Sequence, residues 1–296
     1  MPLTSKTIIS AIGLTFCLEN GSVMFNEEPV EEFLTDVLGV NIGYAKYGRG
    51  PNYLLMICGA VGCYKKDFPD HVLRNFDPEL VTIIAIDPPG YGKSRPPDRV
   101  QEVHRCSKDA KFCLGLMEQL QMTPFGVVGW SEGGRTAIHV AEQGKAKVNC
   151  MILLATSTKV DFRGSLAFKG MRNVDQWLAA SRDPYLEYYT LDELRVQWAA
   201  LCDVVQKVYD DLGGRFPSDF ALQQIKCPVL ICHGAMDRFC MDPKLMIQSL
   251  SNSKPPPKLE VQALGGHDFH VKYARWFANK VQFLLKTVVV PAANGK

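Results

Sequence analysis

Apolar runs of strand length recur along the chain, and most are continuous rather than alternating with polar positions. They lie at residues 52–60, 80–87, 124–130, 149–156, 227–234 and 258–264. Continuous apolar runs are typical of strands that are buried on both faces of a sheet. Segments with helical periodicity separate them, as at 107–121 and 133–144. This alternation predicts the α/β fold class, with a mostly parallel central sheet flanked by helices.

The alternation stops between residues 157 and 225, where no apolar run of strand length occurs. Helical patterns rich in aromatic side chains fill this stretch, and the aromatic residues are Trp177, Tyr185, Tyr188, Tyr189, Trp198 and Tyr209. An insertion between two strands would cover the carboxyl ends of the strands, where ligands bind in open α/β sheets. We therefore predict a helical cap at 157–225. One or two of its aromatic residues should touch substrate, and the others should form its core.

The same pattern predicts the domain organisation. The core should consist of two parts, residues 36–156 and 226–286, followed by a C-terminal tail at 287–296. Residues 1–35 form an N-terminal extension of uncertain structure. Its apolar run at 7–18 is too short to span a bilayer, and no clear signal-peptide cleavage site follows it. A loosely packed extension and a targeting segment both fit, and we expect no stable insertion into a membrane.

Composition adds few constraints. The formal net charge is +2 and the basic residues are scattered, so a nucleic acid partner is not expected. The ten cysteines are irregularly spaced, and several lie in apolar runs, for example Cys150 and Cys232. This arrangement predicts reduced, buried thiols in an intracellular protein, cytoplasmic or mitochondrial. The sequence does not determine the oligomeric state, although a monomer is favoured.

The chemistry is indicated by the stretch from Gly129 to Gly133, which fits the pattern Gly-x-Ser-x-Gly. It lies between an apolar strand and an amphipathic helix, where a sharp turn holds the serine in a strained conformation and glycines avoid collisions. The oxygen of Ser131 would then project at the amino end of the helix, where developing negative charge is favoured. We predict that Ser131 is a nucleophile. The alternative is a structural serine in a glycine-rich turn.

A serine nucleophile needs a base, and the base needs an orienting acid. Asp237 follows the strand at 227–234, and His267 lies in the loop after the last strand, so both belong at carboxyl ends of strands. The chain order Ser, Asp, His is that of α/β hydrolases. The sequence therefore predicts that Ser131, Asp237 and His267 form a catalytic triad.

Other titratable residues compete for these roles but have simpler assignments to packing, helix capping or solvated loops, namely His139, His233, His270, Asp242 and Asp268. The pair His267 and His270 lacks a third ligand at metal-binding spacing, so no metal site is predicted. The expected chemistry requires no metal and no organic cofactor.

The tetrahedral intermediate of acyl transfer needs two N–H donors. One should be the backbone N–H of Glu132. The other should be that of Ala60, in the glycine-containing loop 58–62 that follows a long strand. An ordinary turn explains the composition of this loop equally well.

Four stretches resemble the α/β-hydrolase superfamily, and within it the biphenyl hydrolase-like (valacyclovir hydrolase) family: residues 86–99, 129–137, 227–237 and 265–277. The resemblance extends over roughly residues 36–286. It implies a serine hydrolase with a helical cap that acts on a small-molecule substrate, an ester of an α-amino acid. The triad that it implies falls on the same three residues.

In that family, an aspartate after the nucleophile holds the α-ammonium group of the substrate, and here the position is Glu132. The leading hypothesis is therefore hydrolysis of α-amino acid esters through an acyl-enzyme, with Glu132 as the ammonium anchor. A charge-assisted hydrogen bond of about 1.5–3 kcal/mol is large enough to define a substrate class. With neutral His267 as base, activity should rise through about pH 6–7.

Two other hypotheses remain open. In the first, Glu132 is paired inside the protein, for example with Arg135, and the enzyme is a general carboxylesterase, a thioesterase or a carbon–carbon bond hydrolase. In the second, the protein is a non-catalytic, ligand-binding member of the fold.

Overall fold

The computed structural model describes residues 16–19, 22–25 and 28–289. Most of the apolar run at 7–18 lies outside the described residues. Ten strands are described: β1 Phe16–Glu19, β2 Ser22–Phe25, β3 Val30–Val37, β4 Val40–Tyr47, β5 Asn52–Ile57, β6 Val81–Ile86, β7 Phe125–Trp130, β8 Val148–Leu154, β9 Val229–Gly234 and β10 Lys258–Gln262.

Helices fill most of the intervals between the strands from β5 onwards. Their bounds are α1 Tyr64–Asp67, α2 Asp70–Leu73, α3 Arg105–Gln119, α4 Glu132–Gly144, α5 Phe162–Met171, α6 Ala179–Leu186, α7 Leu191–Asp211, α8 Pro217–Ala221, α9 Lys244–Ser249, α10 Phe269–Lys272 and α11 Ala274–Leu284. A π-helical turn continues α11 to Val289.

The main sheet has eight strands in the order β10-β9-β8-β7-β5-β6-β4-β3. The six strands from β10 to β6 in that order are parallel, whereas β3 and β4 pair antiparallel. Every residue of β6 and of β7 is buried, as the continuous apolar runs predict. The predicted α/β fold with a mostly parallel sheet is confirmed.

The hairpin of β3 and β4 extends the sheet by two strands that the apolar runs do not predict. Strand β3 begins at Val30, so the sheet includes residues 30–35, which the predicted boundary assigns to the N-terminal extension. This strand forms the edge of the sheet, and most of its residues are exposed, including Glu31 and Glu32. An exposed edge strand lacks the apolar signal of a buried one.

Helices cover both faces of the sheet. The apolar sides of α3 and α4 pack in one buried cluster with strand residues such as Ile57 and Val127. On the other face, α11 packs through Phe277 and Val281 against strand residues such as Met56 and Val128. The sheet is therefore buried between two apolar layers, and the carboxyl ends of its parallel strands meet at one edge.

Helices α5 to α8 lie between β8 and β9, in the interval where the sequence predicts the cap. Helix α7 and the segments beside it form a third apolar cluster around Trp198 and Leu201, which also includes Val61 and Tyr91 of the core. The hydroxyl of Tyr189 donates to the carbonyl oxygen of Gly62 at 2.7 Å, and hydrogen bonds therefore add to this apolar packing. The helical insertion is thus held against loops at the carboxyl end of the sheet.

No helix in the described part of the chain combines the length and the apolar character that crossing a bilayer requires. Nine cysteines between Cys58 and Cys240 are free thiols, and seven of them are buried. The prediction of reduced, largely buried thiols is confirmed for these nine residues.

Candidate active site

Ser131 lies at the junction of β7 and α4, in a backbone conformation with φ of +54° and ψ of −115°. Positive φ is strained for a residue with a side chain. The flanking glycines are required for steric reasons, because a Cβ atom at Gly129 would lie 2.2 Å from the carbonyl oxygen of Gly133. A Cβ atom at Gly133 would lie 2.2 Å from the carbonyl oxygen of Ile57. The local sequence therefore forces a tight turn that presents the serine.

The structure brings together the three residues predicted as a triad, from three different loops. The Nε2 atom of His267 lies 3.0 Å from the Oγ atom of Ser131, and its Nδ1 atom lies 2.9 Å from Oδ2 of Asp237. The other carboxylate oxygen of Asp237 accepts the backbone N–H of Phe239 at 2.8 Å. The result is a continuous hydrogen-bonded chain from a carboxylate through an imidazole to a hydroxyl.

Neighbouring groups fix the ionisation of Asp237 and the position of His267. Burial acts to raise the pKa of Asp237, but its hydrogen bond to His267 and the nearby backbone N–H groups hold that pKa below its usual value. The carboxylate therefore stays ionised near neutral pH, and Nδ1 of His267 must carry the shared proton. The indole N–H of Trp130 donates to the backbone oxygen of His267 at 2.8 Å, which anchors the histidine loop.

Of the histidines, all described, His267 is the one that contacts Ser131. His270 is fully buried, and its Nε2–H donates to the backbone oxygen of Asp67 at 2.8 Å. Burial lowers the pKa of His270 to about 3, so that its ring is neutral. His139 is buried on α4 with its Nδ1 atom 3.0 Å from a carboxylate oxygen of Glu142.

The predicted loop donor, Ala60, lines the same cavity as Ser131 and His267. Its loop is shaped by Asp67, a residue that the sequence did not single out: the N–H of Gly59 donates to Oδ2 of Asp67 at 2.8 Å. The N–H of the second predicted donor, Glu132, belongs to the first residue of α4. Such an N–H has no acceptor within its own helix.

The side chain of Glu132, to which the resemblance assigns the substrate ammonium group, is buried inside the protein. One of its oxygens accepts from the Nε atom of Arg105 at 3.1 Å and from a second nitrogen of the same guanidinium. The other oxygen accepts from the hydroxyl of Tyr91 at 3.3 Å and lies 4.0 Å from Arg99. The partner is thus Arg105, not the Arg135 suggested by helical spacing.

The environment of Glu132 keeps it ionised. Burial alone would raise its pKa, but the charge and hydrogen bonds of Arg105 outweigh burial and lower the pKa to about 2. Arg105 lies 27 positions before Glu132 and is the first residue of helix α3. No local signal in the sequence links two residues at that separation, so the pair could not be predicted.

A cavity of about 940 Å³ opens beside Ser131 and His267. The cap supplies much of its wall, including three of the six aromatic residues noted in the sequence: Trp177, Tyr185 and Trp198. The rings of Trp177 and Trp198 meet edge to face with centroids 4.7 Å apart. Three residues thus line the cavity, whereas one or two were expected to reach substrate.

A cysteine that the sequence did not single out lies beside the histidine. The ligand atoms of Asp237, Cys240 and His267 all lie within 4.8 Å of one another, a spacing that a metal ion can bridge. However, burial raises the pKa of Cys240 well above its usual value, and its S–H donates to the backbone oxygen of Ala155 at 2.8 Å. A protonated thiol with its hydrogen committed elsewhere is a poor metal ligand.

Comparisons with known proteins agree with this geometry. The protein named Serine hydrolase BPHL of Mus musculus is 30% identical over 270 residues, which cover 88% of this chain and 90% of that protein. Its human namesake is 29% identical over 241 residues, or 81% of each chain.

Among solved structures, serine hydrolase CCSP0084 of Cycloclasticus zankles has a TM-score of 0.71 at 15% identity, covering 87% of this chain and 98% of that one. At that identity the likeness shows the fold alone. The sequence model described as the alpha/beta hydrolase family matches residues 54–280. This match, together with the identity to the mouse protein, confirms the resemblance seen in the sequence: the chain belongs to the alpha/beta hydrolase family.

Proposed function

We propose that this protein is a serine hydrolase that cleaves carboxylic esters through an acyl-enzyme on Ser131. The observation that carries the proposal is the unbroken chain from Asp237 through His267 to Ser131, at distances of 2.9 and 3.0 Å. Ser131 and His267 line a cavity whose size suits a small molecule. The serine hydrolases among its relatives support the same reaction class.

In the proposed reaction, Oγ of Ser131 attacks the ester carbonyl carbon while Nε2 of His267 takes the hydroxyl proton. Asp237 holds the imidazole in the tautomer that leaves Nε2 free and stabilises the imidazolium that forms. The carbonyl oxygen becomes an oxyanion, for which the N–H groups of Ala60 and Glu132 are the proposed donors.

Collapse of this intermediate breaks the bond to the leaving alcohol, which receives the proton from His267 and departs. The acyl group is then held as an ester on Ser131. Water attacks that ester as His267 removes its proton, and a second tetrahedral intermediate releases the carboxylic acid. The serine regains its proton from His267, so that atoms and charges balance over the cycle.

The resemblance implies α-amino acid esters as substrates, but the geometry gives that class little support. Glu132 has both carboxylate oxygens engaged by protein groups, and it is not among the residues that line the cavity. A carboxylate held by a buried guanidinium has no free charge to offer an ammonium group. The geometry favours the alternative hypothesis, in which Glu132 is structural and the substrate is a carboxylic ester of another class.

The proposal is tested by the hydrolysis of 4-nitrophenyl butyrate, followed as release of 4-nitrophenolate. We expect Ser131→Ala and His267→Gln to lose at least ~10³-fold in kcat/KM, because nucleophile and base act as a unit. His139→Gln is the matched control, since it changes another buried histidine on the helix that begins after Ser131, and it should keep most of the activity. Full activity in the Ser131→Ala protein would refute the mechanism.

A further inference from the structure

The buried Arg135 of the cavity wall pairs with no carboxylate in the described part of the chain. Arg135 lies on α4, one helical turn after Ser131, and is only 8% exposed. Its Nε and Nη1 atoms are fully buried and make no hydrogen bond with any described residue. Its guanidinium lies 3.9 Å from the ring centroid of Phe216, another residue of the cavity wall. A buried arginine normally has its donors satisfied, because unpaired buried charge is costly.

Counting the charges around it shows that Arg135 carries the unmatched one. Two nitrogens of Arg99 donate to the two oxygens of Asp109, both at 2.6 Å. Arg105 is matched by Glu132, one oxygen of which accepts from two nitrogens of its guanidinium. Three guanidinium groups therefore share two carboxylates. The arginine left over is the one whose side chain reaches the cavity.

The cavity wall as a whole carries an excess of basic side chains. Three acidic side chains line it, namely Asp67, Asp161 and Asp268, whereas six basic side chains do so: Lys66, Arg135, Lys159, Arg163, Arg238 and Lys272. An excess of one sign in a cleft with low-dielectric walls raises the local concentration of the opposite charge. Such a cavity attracts anions and disfavours ammonium groups.

We propose that Arg135 binds a carboxylate group of the substrate, so that the enzyme acts on esters that carry a second, free acid group. This inference rests on the proposed hydrolase function and names the substrate class of the same site. The planar guanidinium matches the geometry of a carboxylate. A turn of helix places Arg135 about 6 Å along the axis from Ser131. The free acid therefore binds several atoms away from the scissile carbonyl.

Binding tests this assignment without requiring turnover. The Ser131→Ala protein is titrated calorimetrically with two pairs of esters, each pair differing only by a carboxylate or a carboxamide. In one pair the acid is on the acyl side, ethyl hydrogen glutarate against its amide twin. In the other it is on the alcohol side, 4-butyryloxybenzoate against 4-butyryloxybenzamide. We expect the carboxylate to bind at least about tenfold more tightly in one pair, as a charge-assisted hydrogen bond implies.

Variants of the cavity wall identify the residue that causes the preference for the carboxylate. In the Ser131→Ala background, Arg135→Met should abolish the preference for the carboxylate, and Arg135→Lys should restore part of it because the charge returns. Arg275→Met is the control, an exposed basic residue that does not line the cavity, and it should keep the preference. The readout is a ratio of two affinities, so a merely structural role of Arg135 would leave it unchanged.

Equal binding of carboxylate and carboxamide in both pairs would overturn the assignment, as would a preference that survives Arg135→Met. These outcomes are independent of hydrolysis. A protein that prefers the carboxylates but cleaves no ester with Ser131 intact would instead refute the proposed function and leave the binding site in place.

Discussion

Glu132 follows Ser131 directly in the sequence, yet its carboxylate pairs with Arg105 in the protein interior, at 3.1 Å from Nε. The tight turn at the serine separates the two neighbours: the hydroxyl faces the cavity, whereas the carboxylate lies against helix α3. The ion pair joins the start of α4, which carries the nucleophile, to the start of α3. An acidic residue at this position thus fixes two helices relative to each other.

The first prediction concerns this ion pair. Glu132→Gln leaves the guanidinium of Arg105 buried without its counter-charge, so the free energy of unfolding should fall by about 3–5 kcal/mol. Urea denaturation at pH 7 measures the change. The double variant Glu132→Gln/Arg105→Gln should recover part of the loss, because both charges are then removed. A stability equal to that of the wild type would show that the pair is not formed.

The second prediction separates the two roles proposed for Glu132. The benzyl ester of valine and its N-acetylated twin differ by the ammonium charge and share the scissile bond. If Glu132 is structural, Glu132→Gln should alter kcat/KM for the two esters by the same factor, within about threefold. A Glu132-dependent preference of tenfold or more for the free amine would establish the residue as an ammonium anchor.

The third prediction concerns pH. Burial lowers the pKa of His270 to about 3 from a usual value of 6.5. The folded protein therefore binds this proton less readily than the unfolded chain does. The contribution of neutral His270 to the free energy of unfolding is therefore complete above pH 6.5 and is lost as the pH falls towards 3. At pH 5 the loss should be about 2 kcal/mol.

Urea denaturation at pH 7 and at pH 5 measures the sign and the size of this change in the free energy of unfolding. His270→Gln can still donate to the backbone oxygen of Asp67 but does not titrate, so its stability should fall less between the two pH values. The neighbouring charges of Lys66 and Asp268 are present in both proteins and cancel in the comparison. An identical pH dependence in the two proteins would contradict the assignment.

The fourth prediction tests the turn at the nucleophile. Gly133→Ala would place a methyl group 2.2 Å from the carbonyl oxygen of Ile57, so backbone must shift. We expect a loss of about 3 kcal/mol or more in stability, together with loss of activity. Gly170→Ala is the control, since a Cβ atom there meets nothing within 4 Å on an exposed helix. It should be neutral or stabilising, by up to about 1 kcal/mol.

The fifth prediction concerns the orienting acid. Asp237→Asn should reduce kcat by roughly 10⁴-fold, as the same change does in serine proteases, because an amide can stabilise the wrong tautomer of His267. Thermal unfolding should show that the variant is folded. A loss of tenfold or less would indicate that the imidazole is oriented by other groups.

Much of the architecture could be predicted from the sequence. Buried parallel strands appear in the sequence as continuous apolar runs. The strand expected from the run at 124–130 corresponds to Phe125–Trp130. The hairpin beginning at Val30 was missed because it forms an exposed edge, where burial does not select apolar residues. Ser131, Asp237 and His267 could be chosen because each follows a recognisable strand, so chain order and sheet geometry determine where they meet.

Contacts between distant positions could not be predicted in this way. The sequence shows that a buried Glu132 needs a partner, and helical spacing suggests Arg135, but packing decides which arginine it meets. The pairing with Arg105 depends on how α3 crosses α4. That crossing also leaves Arg135 without a carboxylate, although nothing in its neighbouring residues distinguishes it from a surface arginine.

Covalent labelling with a serine-directed reagent shows whether Ser131 is the activated nucleophile. The wild-type protein and Ser131→Ala are treated with a fluorophosphonate at neutral pH, and intact mass and peptide mapping are used to locate the adduct. We expect one label per chain on Ser131 and none on the Ser131→Ala protein. A label on any other residue, or an active enzyme that takes up no label, would contradict this role of Ser131.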